Sequence, residues 1–210
     1  MKIRAAVSIS ILVATATSCS TQSQTAHEEI GSCKEGRFSW QVNTRWRLTV
    51  LDDLENLGPG KRHTFHPLTY RPRVSKVTGS TAHLSKSDIS HSLLKKVQAG
   101  NSSVNHLIDA GTSTASEARS LAIEPGNKMQ AVYYRGILSV DAKYAFRCLS
   151  NPEKDTNGQV FTWDRDSPTT GLVNCLARPE DNSRSPLAKS AIRQRCPTGS
   201  PATAQASPRK

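Results

Sequence analysis

Past residue 18 the sequence has no apolar run that approaches the roughly 20 residues a membrane-crossing helix requires. Later segments are therefore not expected to span a bilayer as helices. Aromatic side chains are scarce, 5% of 210 residues, and apolar residues reach only 36%, below the usual share for a globular domain. Acids are also in deficit, with 17 Asp and Glu against 28 Lys and Arg and a net charge of +11. No G-x-S-x-G, H-E-x-x-H, G-x-x-x-x-G-K-[ST] or dinucleotide fingerprint occurs, so no enzyme class that depends on one is indicated. The aromatic shortage argues against a nucleic-acid partner as well. Only Trp46, between Arg45 and Arg47, and Tyr70, before Arg71, interleave with basic residues as a stacking platform would.

What the sequence does contain begins at its first residues. Lys2 and Arg4 precede Ala5 to Ser18, a stretch without charge, Pro or Gly, which is the layout of a secretory signal over residues 1–18. Ala14-Thr15-Ala16 offers the small-x-small site of ordinary cleavage, which would give a secreted, soluble product. Alternatively, Ala16-Thr17-Ser18-Cys19 resembles the lipobox of bacterial lipoproteins, in which cleavage falls before a Cys that carries a diacylglyceryl thioether. Ala16 stands where that family usually has Leu. The cysteine count bears on the choice. Five cysteines are an odd number in an oxidising compartment, whereas lipidation of Cys19 leaves Cys33, Cys148, Cys175 and Cys196 for two bridges. Residues 19–32 are mostly polar or small and read as a tether. Residues 33–196 form one domain, and 197–210 read as a disordered tail with almost nothing to bury.

Within the domain, two segments alternate with the period of half-buried strands. Phe38, Trp40, Val42, Trp46, Leu48 and Val50 share one parity, while Arg37, Ser39, Gln41, Asn43, Arg45, Arg47 and Thr49 share the other. This predicts one long strand or two short ones, with Trp40 and Trp46 anchoring the core. Leu138, Val140, Ala142, Tyr144, Phe146 and Cys148 likewise oppose Ser139, Asp141, Lys143 and Arg147. After the turn formers "NPEKDTNG", "QVFTW" predicts a hairpin partner, and "GLVNCLA" a third strand carrying Cys175. As a meander these strands would separate Cys148 and Cys175 by roughly 9 to 10 Å, too far for a disulfide, which favours pairing each with Cys33 or Cys196. "SDISHSLLKKVQAG" predicts a helix capped by Ser87, and "SPLAKSAIRQRC" one capped by Ser185 that ends at Cys196. "RVSKVTG" predicts a further strand, while the rest of 51–86 and 101–127 has no sustained period. The expected fold is α+β: one mainly antiparallel β domain, sandwich-like or half-barrel, with one or two short helices and two disulfides.

Candidate chemistry is sparse. His63 and His66 lie close together, but among Lys61, Arg62, Arg71 and Arg73, which repel a cation, so no metal is expected. Ser92 and Lys95 match S-x-x-K without the elements that accompany it in penicillin-binding enzymes. No cofactor is indicated. Lys61, Arg62, Arg71, Arg73 and Lys76 have no acid between them and are the candidate site for an anionic partner, either anionic lipid or a wall polymer.

Tyr144-x-Phe146-x-Cys148, Gly158-x-Val160-x-Thr162-Trp163, Thr170-Gly171-x-Val173-x-Cys175 and a short Ala-containing helix ending in Cys196 follow one another in order. This arrangement resembles the C-terminal half of a family of uncharacterised secreted proteins and lipoproteins of actinobacteria. The resemblance implies export and a disulfide framework and carries no activity. The reading at this level is an exported cell-envelope protein, held to the outer face of the membrane through Cys19, that binds rather than catalyses. The enzymatic alternative, a secreted hydrolase with a site assembled in space, predicts a concave site with a perturbed titratable group near one of the six histidines.

Overall fold

The computed structural model describes residues 33, 35–66, 72–100, 103–117, 120–182 and 184–204. Its elements in chain order are strands β1 (Gly36–Leu51), β2 (Glu55–Leu57), β3 (His63–Phe65) and β4 (Lys76–Val77), helix α1 (Lys86–Ala99), strands β5 (Leu121–Ile123), β6 (Met129–Cys148), β7 (Thr156–Trp163) and β8 (Thr169–Asn174), and helix α2 (Pro186–Arg195). Every strand pairing is antiparallel. The result is an α+β domain dominated by antiparallel sheet.

The 20-residue β6 is the axis of the six-stranded sheet. Along one edge it pairs with β1 and then β2, and along the other with β7 and then β8. β4 lies outside β7, and β3 with β5 forms a separate two-stranded sheet. The alternation in β6 sorts its side chains between two faces. Val140, Ala142, Tyr144 and Phe146 meet Ile89, Leu93 and Val97 of α1. Val132 and Tyr134, on the same parity, meet Leu187, Ala188, Ala191 and Ile192 of α2. On the opposite face Ala131 and Tyr133 are covered by Phe65 of β3, with Leu121 and Ile123 of β5 packed alongside. The two helices thus take one face, and the small sheet takes half of the other.

Both bridges form between cysteines at chain junctions. Cys33 is bonded to Cys148, where β1 begins and β6 ends, and Cys175 to Cys196, joining the end of β8 to the C-cap of α2. Such bonds persist in an oxidising compartment. Among the described residues no helix is long and apolar enough to cross a membrane.

Several local expectations are corrected. A bulge between Leu48 and Val50 turns Val50 away from the face of Phe38 and into the cluster around Phe65, because one extra residue reverses the inward and outward sides. Trp46 is 37% exposed, Trp40 is half-buried against the cluster beneath α1, and Trp163 of β7 is fully buried. β8 does not turn back as a meander would. The Asp164 amide bonds the Leu138 carbonyl, and the Leu138 amide donates to Ser167 Oγ at 2.9 Å, so the chain loops out and rejoins β6 in the same direction. The N-cap of α1 is Ser85, not Ser87, because Ser85 and Asp88 form a reciprocal capping box. The predicted tail is ordered over residues 197–204: Pro201–Thr203 form a short 3₁₀ turn, and Ala202, 5% exposed, packs on the cluster beneath α2. The Cys175–Cys196 bond carries this segment there, and the Ala202 amide bonds the Cys175 carbonyl.

Candidate functional site

Beyond Ser139 the face of β6 opposite the helices is uncovered. Register places its side chains in cross-strand rows: Arg37 opposite Arg147, Ser39 opposite Ala145, Gln41 opposite Lys143 and Asn43 opposite Asp141. β7 extends three of these rows, with Asn157 beside Ala145, Gln159 beside Lys143 and Phe161 beside Asp141, and β4 adds Lys76 beside Phe161. Arg37, Gln41, Asn43, Arg45, Lys76, Lys143, Arg147 and Gln159 are all exposed. Between β1 and β4 the face hollows into a cleft of about 590 Å³, lined by Gln41, Asn43, Arg45, Lys76, Asp141, Lys143, Gln159 and Phe161 among others.

The electrostatics of this face are lopsided. Asp141 Oδ2 accepts from Arg47 Nη2 at 2.7 Å and lies 3.6 Å from Arg45 Nε, so its charge is already engaged. Arg47 Nε also donates to Ser139 Oγ, whose hydroxyl donates to the Arg45 carbonyl, and this braces both arginines against β6. Arg37, Lys76, Lys143 and Arg147 have no acid opposite them in the register. Arg37 and Arg147 are instead direct cross-strand partners, a pairing of like charges that destabilises a sheet. The face presents forked guanidinium donors, ammonium groups and carboxamides, a donor set for phosphate or carboxylate.

Lys76 stands on a strand of two residues that is held from both sides. The Thr78 amide bonds the Gln159 carbonyl, the Gln159 amide donates to Thr78 Oγ1, and the Ser75 amide bonds the Thr112 carbonyl. From beneath, the Tyr144 hydroxyl donates to the Thr78 carbonyl at 2.9 Å. Burial pushes the Tyr144 phenol above its ordinary value. Gly79 then turns with φ +80°, where an added Cβ would collide with the Asn157 carbonyl. The Arg73 guanidinium sits 5.7 Å from the centroid of the Phe161 ring.

No family model and no curated protein matches this chain. The functional reading therefore rests on the site.

The structure divides the basic residues singled out from the sequence. Arg73 and Lys76 converge at Phe161, beside the cleft. Lys61 and Arg62 are exposed in the loop before β3, and Lys61 lines a separate depression with Glu55 and His63. The β2 residue Glu55 pairs with Ala131, whereas Phe161, the partner of Lys76, pairs with Asp141. Those register points lie ten residues apart along β6, about 33 Å at a rise of roughly 3.3 Å per residue. Arg71 and Cys19 lie outside the described residues. Sequence proximity missed Arg37, Arg45, Lys143 and Arg147. The available signal was the polar parity of the two alternating segments, which carries Arg37, Arg45, Arg47, Lys143 and Arg147 against Asp141.

Two of the six histidines make local contacts with acids. His63 Nε2 meets Glu55 Oε2 at 2.8 Å, and His106 Nδ1 meets Asp166 Oδ2 at 2.9 Å. Among the described residues no three His, Cys, Asp or Glu side chains gather as a metal site. Ser92 Oγ accepts from the Trp40 indole at 3.2 Å, which ties α1 to β1. In the S-x-x-K segment this serine serves packing.

Proposed function

We propose that this protein is an exported binding module of the cell envelope that holds an anionic envelope polymer across the uncovered half of its sheet. The observation that carries the reading is the Arg37–Arg147 pair. Two like charges are kept directly opposite one another, on the same face as Lys143 and Lys76, at the expense of sheet stability. An anionic ligand bridging them turns that repulsion into attraction. Arg45 and Arg47, braced by Asp141 and Ser139, form the same surface nearer the middle of β6. Of the original basic candidates, Lys76 and Arg73 belong to this site, and Lys61 and Arg62 do not.

Anchoring through Cys19 is part of the same proposal. Cys33, Cys148, Cys175 and Cys196 are consumed in two bridges, which leaves Cys19 as the remaining cysteine of the five. Ser18-Cys19 closes the lipobox-like segment, and a lipid there would set the domain on the outer face of the membrane. Mass spectrometry of the mature protein tests this. A diacylated Cys19 at the N-terminus is the expected result, and a terminus at Thr17 with a free thiol would overturn it. The binding claim is tested by titrating the full domain with a soluble polyanion over a salt series. Affinity should fall steeply with added salt, and an affinity insensitive to salt would sink the electrostatic form of the proposal.

A further inference from the structure

We infer that the polymer held by this face is an anionic glycan, with Phe161 as the platform for a sugar ring and Gln41, Asn43 and Gln159 as partners of its hydroxyl groups. The inference rests on the polyanion reading above and narrows it to a chemical class. A surface selected only for charge would carry a cation at each position of the row. Here the row across Lys143 has Gln41 on one side and Gln159 on the other, and the next row runs Asn43, Asp141, Phe161, Lys76. Strands lie about 4.8 Å apart, so each row spans the width of a sugar ring with its substituents.

The residue types match that ligand. A carboxamide both donates and accepts, as vicinal hydroxyls do, whereas phosphate and carboxylate oxygens only accept. Gln41, Asn43 and Gln159 are exposed and line the cleft. Asp141, held by Arg47, adds an acceptor that a bare polyanion would avoid and a hydroxyl would use. Phe161 lines the same cleft, flanked by Lys76 in the register, with the Trp163 ring 6.2 Å and the Arg73 guanidinium 5.7 Å from its centroid. Its apolar face suits the C–H face of a pyranose, while Lys76, Lys143 and Arg45 reach for the acidic substituent. The cleft, about 590 Å³, falls within the roughly 300–1,000 Å³ of small-ligand sites, so it seats a short segment of chain. Arg37 and Arg147 lie four residues from Gln41 and Lys143, toward the start of β1 and the end of β6, about 13 Å away, and take a following acidic group.

The test compares oligogalacturonate with inorganic polyphosphate of matched charge by calorimetric titration of the full domain, using Phe161→Ala and Gln41→Ala variants whose folding is checked by thermal melting. The unmodified protein is expected to bind oligogalacturonate more tightly than polyphosphate. Each variant should lose about tenfold for the glycan and less than twofold for polyphosphate. Equal losses for both probes, or no loss in the exposed Gln41→Ala variant, would overturn the glycan assignment and leave the polyanion reading standing. Failure of the unmodified protein to bind either probe would overturn both.

Discussion

At the scale of single residues, the proposal has the Arg37–Arg147 pair set stability against binding. Replacing Arg147 by Glu converts a repulsive cross-strand pair into an attractive one, and such pairs are worth roughly 0.2 to 1 kcal/mol. The Arg147→Glu variant is therefore expected to melt at a higher temperature while binding polyanions more weakly, a combination that a purely structural arginine would not produce. Tyr144 makes a second residue-level prediction. Its phenol is buried and raised above the ordinary value of 10.0, so its ionisation favours the unfolded chain, whose phenols titrate first. Its stabilising contribution is complete below about pH 10 and is lost as pH rises further. Tyr133 is raised as well, by burial first and then by Asp52, against the opposing effect of Arg135. Melting curves between about pH 9 and 11 should show falling stability, with a shallower slope in Tyr144→Phe; an identical slope would contradict the assignment. Parity made Tyr144 legible in the sequence as a core residue. Its bond to the Thr78 carbonyl was not legible, because it depends on a strand of two residues lying beside β7.

At the scale of elements, length decided what could be read. β1, β6 and α2 are long enough for a period to show, and Ser185 and Pro186 cap α2 as the sequence predicts. β2, β3, β4 and β5 have two or three residues each; β4 falls inside the strand predicted for "RVSKVTG", whereas β2, β3 and β5 exist because β6 or each other supply the hydrogen bonds, which no local pattern encodes. The bulge in β1 is equally silent, since a single extra residue reverses a face without altering composition. The N-cap of α1 illustrates a competition between two nearby serines, which Asp88 resolves by reaching back to the Ser85 amide. Ser85→Ala is expected to destabilise the domain by about 1 kcal/mol and Ser87→Ala by less than about 0.5, measured by denaturant unfolding. The two bridges differ in the loops they close, with sequence separations of 115 and 21 residues. On chain entropy alone, losing Cys33–Cys148 removes about 5 kcal/mol and losing Cys175–Cys196 about 3. Paired Cys→Ser variants should unfold in that order of stability.

At the scale of the whole molecule, the proposed function rests on incomplete coverage of one sheet. Two helices cover one face and β3 with β5 cover half of the other, and the net charge of +11 finds its most ordered expression on the half left bare. The α+β class and the two disulfides were legible from alternation and cysteine count. The proposed binding face was legible only in part. Arg73 and Lys76 were singled out because they are near one another in sequence, whereas the site assembles cations from β1, β4 and β6 through register. The most direct test is the affinity of the full domain for an anionic glycan when charge is reversed at two places. Reversing Arg37 and Arg147 together to Glu should weaken binding at least tenfold, and reversing Lys61 and Arg62 to Glu should change it by less than about twofold, a factor of ten corresponding to about 1.4 kcal/mol. Loss of binding on reversing Lys61 and Arg62, with Arg37 and Arg147 dispensable, would contradict the account.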